Sequence, residues 1–278
     1  MFAPPRLRKA VDASSTKECR TGAISRIMPK TGGNILLVED DSNLRWALGT
    51  TLRAMDFGIL PCADGEQALL EAATHQVDAV LLDINMPGMG GIETCRRMRK
   101  KAPLIPILML TVLDKESDKL AAFDAGADDY ITKPFSVPEL AARLKSAVRR
   151  FRTASGGASE MRNMRAPIVI GEIELEPDLR TVRKGGSALR LTPKEFDLLH
   201  YLMSHAGRPI AHAALLQAVW GADATLQTAY LHTFIHNLRK KLEDDPSAPK
   251  YLLTELNFGY RFVTMSDRRA NRFSLSIA

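Results

Sequence analysis

Hydrophobic positions follow two different patterns on either side of about residue 152. From Asn34 onward, short unbroken apolar runs alternate with stretches that are apolar every third or fourth residue. Ile35-Leu36-Leu37-Val38 is such a run, as expected of a strand buried on both faces. Leu44, Leu48, Leu52 and Met55 then share one helix face, with Ser42 placed to cap it. The alternation continues with a short strand near Ile59, a helix over 66–74, a strand over 77–82 and a helix marked by Ile92, Cys95 and Met98. A strand over 105–110, a helix over 116–125, a strand over 130–132 and a helix over 137–150 complete five strand–helix units. This order predicts an α/β domain, a five-stranded parallel sheet covered on both faces, over 34–151.

The stretch 152–166 contains Ala-Ser-Gly-Gly-Ala-Ser, lacks periodicity and reads as a linker. Short alternating strands follow at 168–170, 173–176, 181–184 and 188–191, with Pro177-Asp178 and Gly185-Gly186 at turns. Thr192, Pro193 and Glu195 then form a capping box with proline at the first helical position. A helix starting at Pro193 and helices over 212–220 and 225–242 precede a closing hairpin over 251–263, which makes 167–265 an α+β domain. The flanks 1–33 and 266–278 carry no such pattern and read as disordered tails.

Charge sharpens this division. Residues 1–33 hold seven Lys/Arg against two Asp/Glu, residues 34–151 fourteen against seventeen, and residues 152–278 seventeen against thirteen. An acidic domain therefore precedes a basic one, and the basic one suits nucleic acid. The longest apolar stretch, 104–113, contains Pro106 and Thr111 and falls short of the roughly 20 residues a bilayer-spanning helix needs. The first thirty residues hold no apolar block of the secretory kind, so a cytoplasmic protein without membrane attachment is expected. Translation could begin at Met1 or at Met28. Cys19, Cys62 and Cys95 are odd in number and far apart, which argues against a disulfide framework or a zinc site.

Candidate chemistry collects at strand ends, where open α/β sheets bind ligands. The first strand ends in Glu39-Asp40, the third in Asp83, the fourth in Thr111 and the last in Lys133-Pro134. Three carboxylates at one sheet edge repel one another unless a divalent cation sits between them, and Mg²⁺ suits a shallow oxygen site that also takes a phosphate. Asp83 is then the nucleophile of an aspartyl phosphate. Lys133 neutralises the transferring group, and Thr111 donates a hydrogen bond to one of its oxygens.

ILLVEDD (35–41), LLDINMPGMGG (81–91), PILMLT (106–111) and GADDYITKPF (126–135) resemble a receiver domain of two-component signalling, which implies a flavodoxin-like, doubly wound fold. The resemblance implies that Glu39, Asp40, Asp83 and the backbone carbonyl of Asn85 ligate Mg²⁺. It further implies that Thr111 and Tyr130 form a switch pair and that the Lys133–Pro134 bond is cis. Val112 departs from the small residue usual after the threonine. Two other readings stay open. A phosphohydrolase would want a second Asp two residues after Asp83, where Asn85 stands. A receiver that no longer responds to phosphate is the other, and the bulk of Val112 is its only support.

In the basic half, Leu231, Ile235, Leu238 and Leu242 recur at helical spacing and should face a core. The opposite stripe, Ala229, Thr233, His236, Asn237 and Lys240, carries hydrogen-bonding side chains of the kind that read base edges. Arg239, Lys240 and Lys241 suit phosphates. LTPKEFDLL (191–199), LLQAVWG (215–221), LRKKLEDDP (238–246) and GYRF (259–262) resemble the winged-helix effector of the OmpR/PhoB class. That resemblance implies base reading by Thr233, His236 and Asn237 from a helix in the major groove. Arg261 is implied on the wing, where Leu256-Asn257 replaces the usual Pro-Gly. It also implies a two-fold dimer of phosphorylated receivers through Lys119, Leu120, Phe123, Asp128, Asp129, Glu139, Ala142, Arg143 and Arg150. The implied partners are a sensor histidine kinase, double-stranded DNA with tandem half-sites, a second copy and RNA polymerase. Phosphoryl chemistry is confined to the receiver's own aspartate, so no metabolic enzyme is expected. ESDKLAAFDAGADDY (116–130) and the run from Tyr230 to Glu255 are similar to the potassium-responsive, KdpE-like branch of the class.

Overall fold

A computed structural model describes residues 31–112, 121–155, 166–221 and 228–264. The expected tails (apart from 31–33), most of the linker, Lys119, Leu120, Cys19 and the starts of the helices expected at 116 and 225 lie outside these residues.

The first domain contains β1 (Asn34–Val38), α1 (Ser42–Ala54), β2 (Gly58–Cys62), α2 (Gly65–Thr74), β3 (Ala79–Asp83), α3 (Gly90–Lys101), β4 (Ile107–Thr111), β5 (Asp129–Thr132) and α4 (Val137–Ser155). Its five strands form one sheet in the order β2-β1-β3-β4-β5, and every pairing is parallel. All five residues of β1, β3 and β4 are buried, which explains their unbroken apolar sequence. Asp41, rather than Ser42, caps α1 by accepting hydrogen bonds from the backbone N–H groups of Asn43 and Leu44. Helix α4 runs to Ser155, into the stretch expected to be linker. A charge pair explains part of this extension: Arg152 donates to both carboxylate oxygens of Asp78, at 3.0 and 2.8 Å, and pins the last turn to the domain.

The second domain opens with a four-stranded antiparallel sheet of β6 (Ile168–Ile170), β7 (Ile173–Glu176), β8 (Thr181–Lys184) and β9 (Ser187–Leu189). Helices α5 (Pro193–Ser204), α6 (His212–Trp220) and α7 (Thr228–Leu242) follow. The capping box of α5 forms as the sequence predicts. The closing hairpin of β11 (Leu252–Glu255) and β12 (Gly259–Phe262) is joined by β10 (Ile210–Ala211), a two-residue strand too short to leave a sequence pattern. Leu231, Ile235, Leu238 and Leu242 of α7 are buried, as their spacing requires. Glu243, just past α7, is 7% exposed and accepts from the backbone N–H groups of Lys250, Tyr251 and Leu252, fixing the approach to the hairpin. Among the described residues no helix is long and apolar enough to cross a membrane.

Candidate functional site

Sheet register brings the strand-end residues together. Val38 lies beside Leu82, so Glu39 and Asp83 leave the sheet at the same level. Asp83 pairs with Leu110 and Thr111 with Thr132, which puts Thr111 and Lys133 next along the same edge. The backbone N–H of Lys133 donates to the Thr111 carbonyl at 2.6 Å, and the Lys133–Pro134 bond is cis. Arg45 donates to the carbonyls of Glu39 and Asp40, which holds the loop that carries both carboxylates. Gly91, the second residue of α3, lies against the end of β3, where a Cβ would lie 2.0 Å from the Asp83 carbonyl oxygen. Only glycine permits that approach.

Glu39, Asp40 and Asp83 each place a carboxylate oxygen within 4.8 Å of the others. Lys133 Nζ donates to Glu39 Oε2 at 2.8 Å and lies 3.1 Å from Asp83 Oδ1. Asp83 Oδ1 is buried and accepts no well-aligned hydrogen bond. Burial pushes the Glu39 carboxyl above the usual carboxylate range and Asp83 adds to that, while the Lys133 hydrogen bond pulls the other way. Burial opposes the Lys133 ammonium, yet the bond to Glu39 and the charge of Asp83 hold its pKa above the ordinary lysine value. Three carboxylates face one ammonium, so the pocket has an excess of negative oxygen. That donor set fits a hard divalent cation. Thr111 is fully buried, Asn85 is exposed two residues past Asp83, and Val112 stands 57% exposed at the rim.

The second domain packs on the far side of β5. Phe123 lies 5.3 Å from Tyr230 and 5.1 Å from Phe234 between ring centroids, and Tyr130 lies 5.2 Å from Tyr230. Burial and a hydrogen bond with Tyr230 push the Tyr130 phenol up. Trp220 Nε1–H donates to the Asp128 carbonyl at 3.2 Å, and the Lys194 backbone N–H donates to Asp128 Oδ1 at 3.2 Å. Phe123, Asp128 and Tyr130, all on or beside the face expected to meet a second copy, are thus engaged by the chain's own α5–α7 layer. Asp129 and Glu139 both pair with Arg143 of the same chain, at 3.0 and 2.9 Å. Asp128 pairs with Arg99 at 2.7 Å, while Arg150 donates to Ser146, and Ala142 is exposed. Sequence reasoning missed Tyr230, Phe234, Trp220 and Lys194. The available signal was a pair of aromatic residues four apart on α7, which widens the buried leucine stripe.

On α7, His236 and Lys240 are exposed, while Thr233 and Asn237 are half-buried. Three expected DNA contacts are occupied within the domain. Arg239 donates to the Leu252 carbonyl through Nε and Nη2, at 3.0 and 2.8 Å, and to Thr254 Oγ1 at 2.7 Å. Lys241 pairs with Glu195 at 2.5 Å and Arg261 with Glu255 at 2.6 Å.

A five-stranded parallel domain with this acidic edge, joined to a helical layer and closing hairpin, defines a two-domain response regulator. Residues 35–145 match the family model "Response regulator receiver domain", and residues 186–262 match "Transcriptional regulatory protein, C terminal". The alkaline phosphatase synthesis transcriptional regulatory protein PhoP of Bacillus subtilis (strain 168) is 40% identical over 229 residues, covering 82% of this chain and 95% of that protein. The chain belongs to the OmpR/PhoB class of two-component response regulators, which act in DNA-binding transcription regulation. Among solved structures, a cysteine-to-serine mutant of RitR is 25% identical with a TM-score of 0.67, covering 84% of this chain and 99% of that one. DrrB of Thermotoga maritima, described as an OmpR/PhoB homologue, is 29% identical with a TM-score of 0.43, covering 83% of this chain and 99% of that one.

Proposed function

We propose that phosphorylation of Asp83 by a sensor histidine kinase releases the effector from the receiver, freeing both for a second copy and for DNA. The observation that carries the chemistry is the Lys133 ammonium lying 3.1 Å from a buried Asp83 oxygen that accepts no aligned hydrogen bond. A carboxylate oxygen of Asp83 attacks the phosphorus of a phosphohistidine. As the new P–O bond forms, the P–N bond breaks and the imidazole leaves with the electron pair, then takes a proton. Glu39, Asp40, Asp83 and the Asn85 carbonyl would hold Mg²⁺, which neutralises charge on the transferring phosphoryl oxygens. Lys133 pairs with one of those oxygens and gives up part of its bond to Glu39. The Thr111 hydroxyl donates to another.

Moving Thr111 towards the phosphate opens space that the Tyr130 ring follows, a bistable packing change biased by local charge. That motion withdraws Tyr130 from Tyr230 and loosens α7, the helix expected to read bases. The same surface, with Lys119, Leu120, Glu139, Ala142, Arg143 and Arg150, then accepts a second receiver, so docking of the effector and pairing of receivers exclude each other. Paired receivers place two effectors in tandem on half-sites about one helical turn apart, where they meet RNA polymerase. The similarities in 116–130 and 230–255 favour a potassium-responsive, KdpE-like role in the cytoplasm. The test is selection of bound DNA fragments before and after treatment with acetyl phosphate and Mg²⁺. The expected result is enrichment of tandem repeats by the treated wild type and none by Asp83→Asn. Equal enrichment by both proteins would refute the proposal.

A further inference from the structure

A basic cleft lies where the two domains meet. It encloses about 270 Å³, walled by Arg96, Arg99 and Lys100 from the receiver and by Arg190 and Lys241 from the effector, and no described carboxylate lines it. The receiver cations stand on the second half of α3, and Lys241 stands on the last turn of α7. A basic helix end is ordinary, because it complements the helix dipole. Two such ends from different domains converging on one cleft are explained by neither helix alone. Arg99 directs its guanidinium to the Pro103, Ile105 and Gly126 carbonyls and to Asp128, which fixes the receiver wall. Arg96 pairs with Glu93 and Lys241 with Glu195, each at 2.5 Å. Lys100 and Arg190 are exposed and have no carboxylate partner among the described residues. The closed arrangement therefore sets unbalanced positive charge from two domains face to face, and like charges so placed repel unless an anion sits between them.

We propose that this cleft binds an oligophosphate, a chain of two or three phosphoryl groups, free or carried by a nucleotide, that holds the effector against the receiver. This rests on the closed arrangement above and adds a ligand that opposes activation. Guanidinium and ammonium groups are the side chains that pair with phosphate, arginine through two parallel N–H bonds. The cleft lies just below the roughly 300–1,000 Å³ of typical small-molecule sites, which suits a short chain of phosphates and excludes duplex DNA. Pro103 and Leu191 add an apolar stretch of wall, where a nucleoside would pack. The anion touches both walls only while the domains are together, so it favours the closed form and lowers DNA affinity.

The test titrates the unphosphorylated full chain with pyrophosphate, triphosphate and ATP by calorimetry, in chelator so that the acidic pocket takes no part. The wild type should bind triphosphate more tightly than pyrophosphate, and added salt should weaken both. Lys100→Glu on the receiver and Arg190→Glu on the effector should each weaken binding about tenfold, since each removes a charge-assisted bond and adds repulsion. Equal affinity for triphosphate and ATP assigns the site to phosphate alone, and tighter ATP assigns it to a nucleotide. No binding by the wild type, or unchanged affinity in either variant, overturns the cleft; a loss confined to Arg190→Glu would place the anion on the effector alone. Small-angle scattering of the same samples separates this failure from that of the reading beneath it. An expanded wild type defeats the closed arrangement, while a compact one that binds no triphosphate defeats the cleft alone.

Discussion

Replacing Phe123 with alanine tests the closed arrangement from the receiver side, without touching the effector. Phe123 is 2% exposed and meets two effector rings, Tyr230 at 5.3 Å and Phe234 at 5.1 Å. Each such pair contributes about 0.5–1.5 kcal/mol beyond its buried area, so losing both costs the closed form roughly 1–3 kcal/mol. That corresponds to a shift of roughly 5- to 150-fold in the ratio of closed to open molecules. Apparent affinity scales with the open fraction, so Phe123→Ala should raise the DNA affinity of unphosphorylated protein by a factor in that range, capped where most molecules are open. Fluorescence anisotropy with a selected fragment measures the affinity, and small-angle scattering reports the accompanying expansion. An unchanged affinity and radius, with circular dichroism showing an intact fold, would mean that the rings do not restrain the effector.

Three further perturbations probe separate parts of the chain. Gly91→Ala places a methyl group where only 2.0 Å separates it from the Asp83 carbonyl oxygen, so α3 must shift and phosphorylation by acetyl phosphate should slow several-fold in a stopped time course. Glu243→Ala leaves three backbone N–H groups without their acceptor and should lower the stability of the second domain by at least about 2 kcal/mol in urea unfolding. Burial pushes the Lys194 ammonium down to about 8 from an ordinary value of 10.5, so between those pH values the unfolded chain binds a proton that the folded chain does not. Folding stability should therefore rise with pH in that window, by up to about 1.4 kcal/mol per unit, and level off below it. Lys194→Met should flatten the rise.

The receiver was readable from its sequence because its chemistry sits where the apolar runs stop. Each strand reports its own end, and a parallel sheet gathers those ends at one edge, so Glu39, Asp83, Thr111 and Lys133 could be placed together without knowing the strand order. The effector's framework was readable for a similar reason, since the capping box at Thr192 and the leucine stripe of α7 are local signals. What escaped was long-range. Whether Arg239 and Lys241 face phosphate or fold inward depends on Leu252, Thr254 and Glu195, which lie 13 to 46 residues away along the chain. A basic last helical turn looks the same in either case. Phe123 and Tyr230 likewise gave no sign that they would meet, because nothing local in 116–130 or 228–242 records which surface the other domain covers. The extension of α4 to Ser155 has the same origin, in the pair between Arg152 and Asp78.

The most direct test of the central claim is the intact mass of the protein after incubation with acetyl phosphate and Mg²⁺. A pocket that accepts phosphate on Asp83 predicts the gain of one phosphoryl group, lost on adding a chelator beforehand and absent in Asp83→Asn. A gain that persists in Asp83→Asn, or no gain in the wild type, would contradict it.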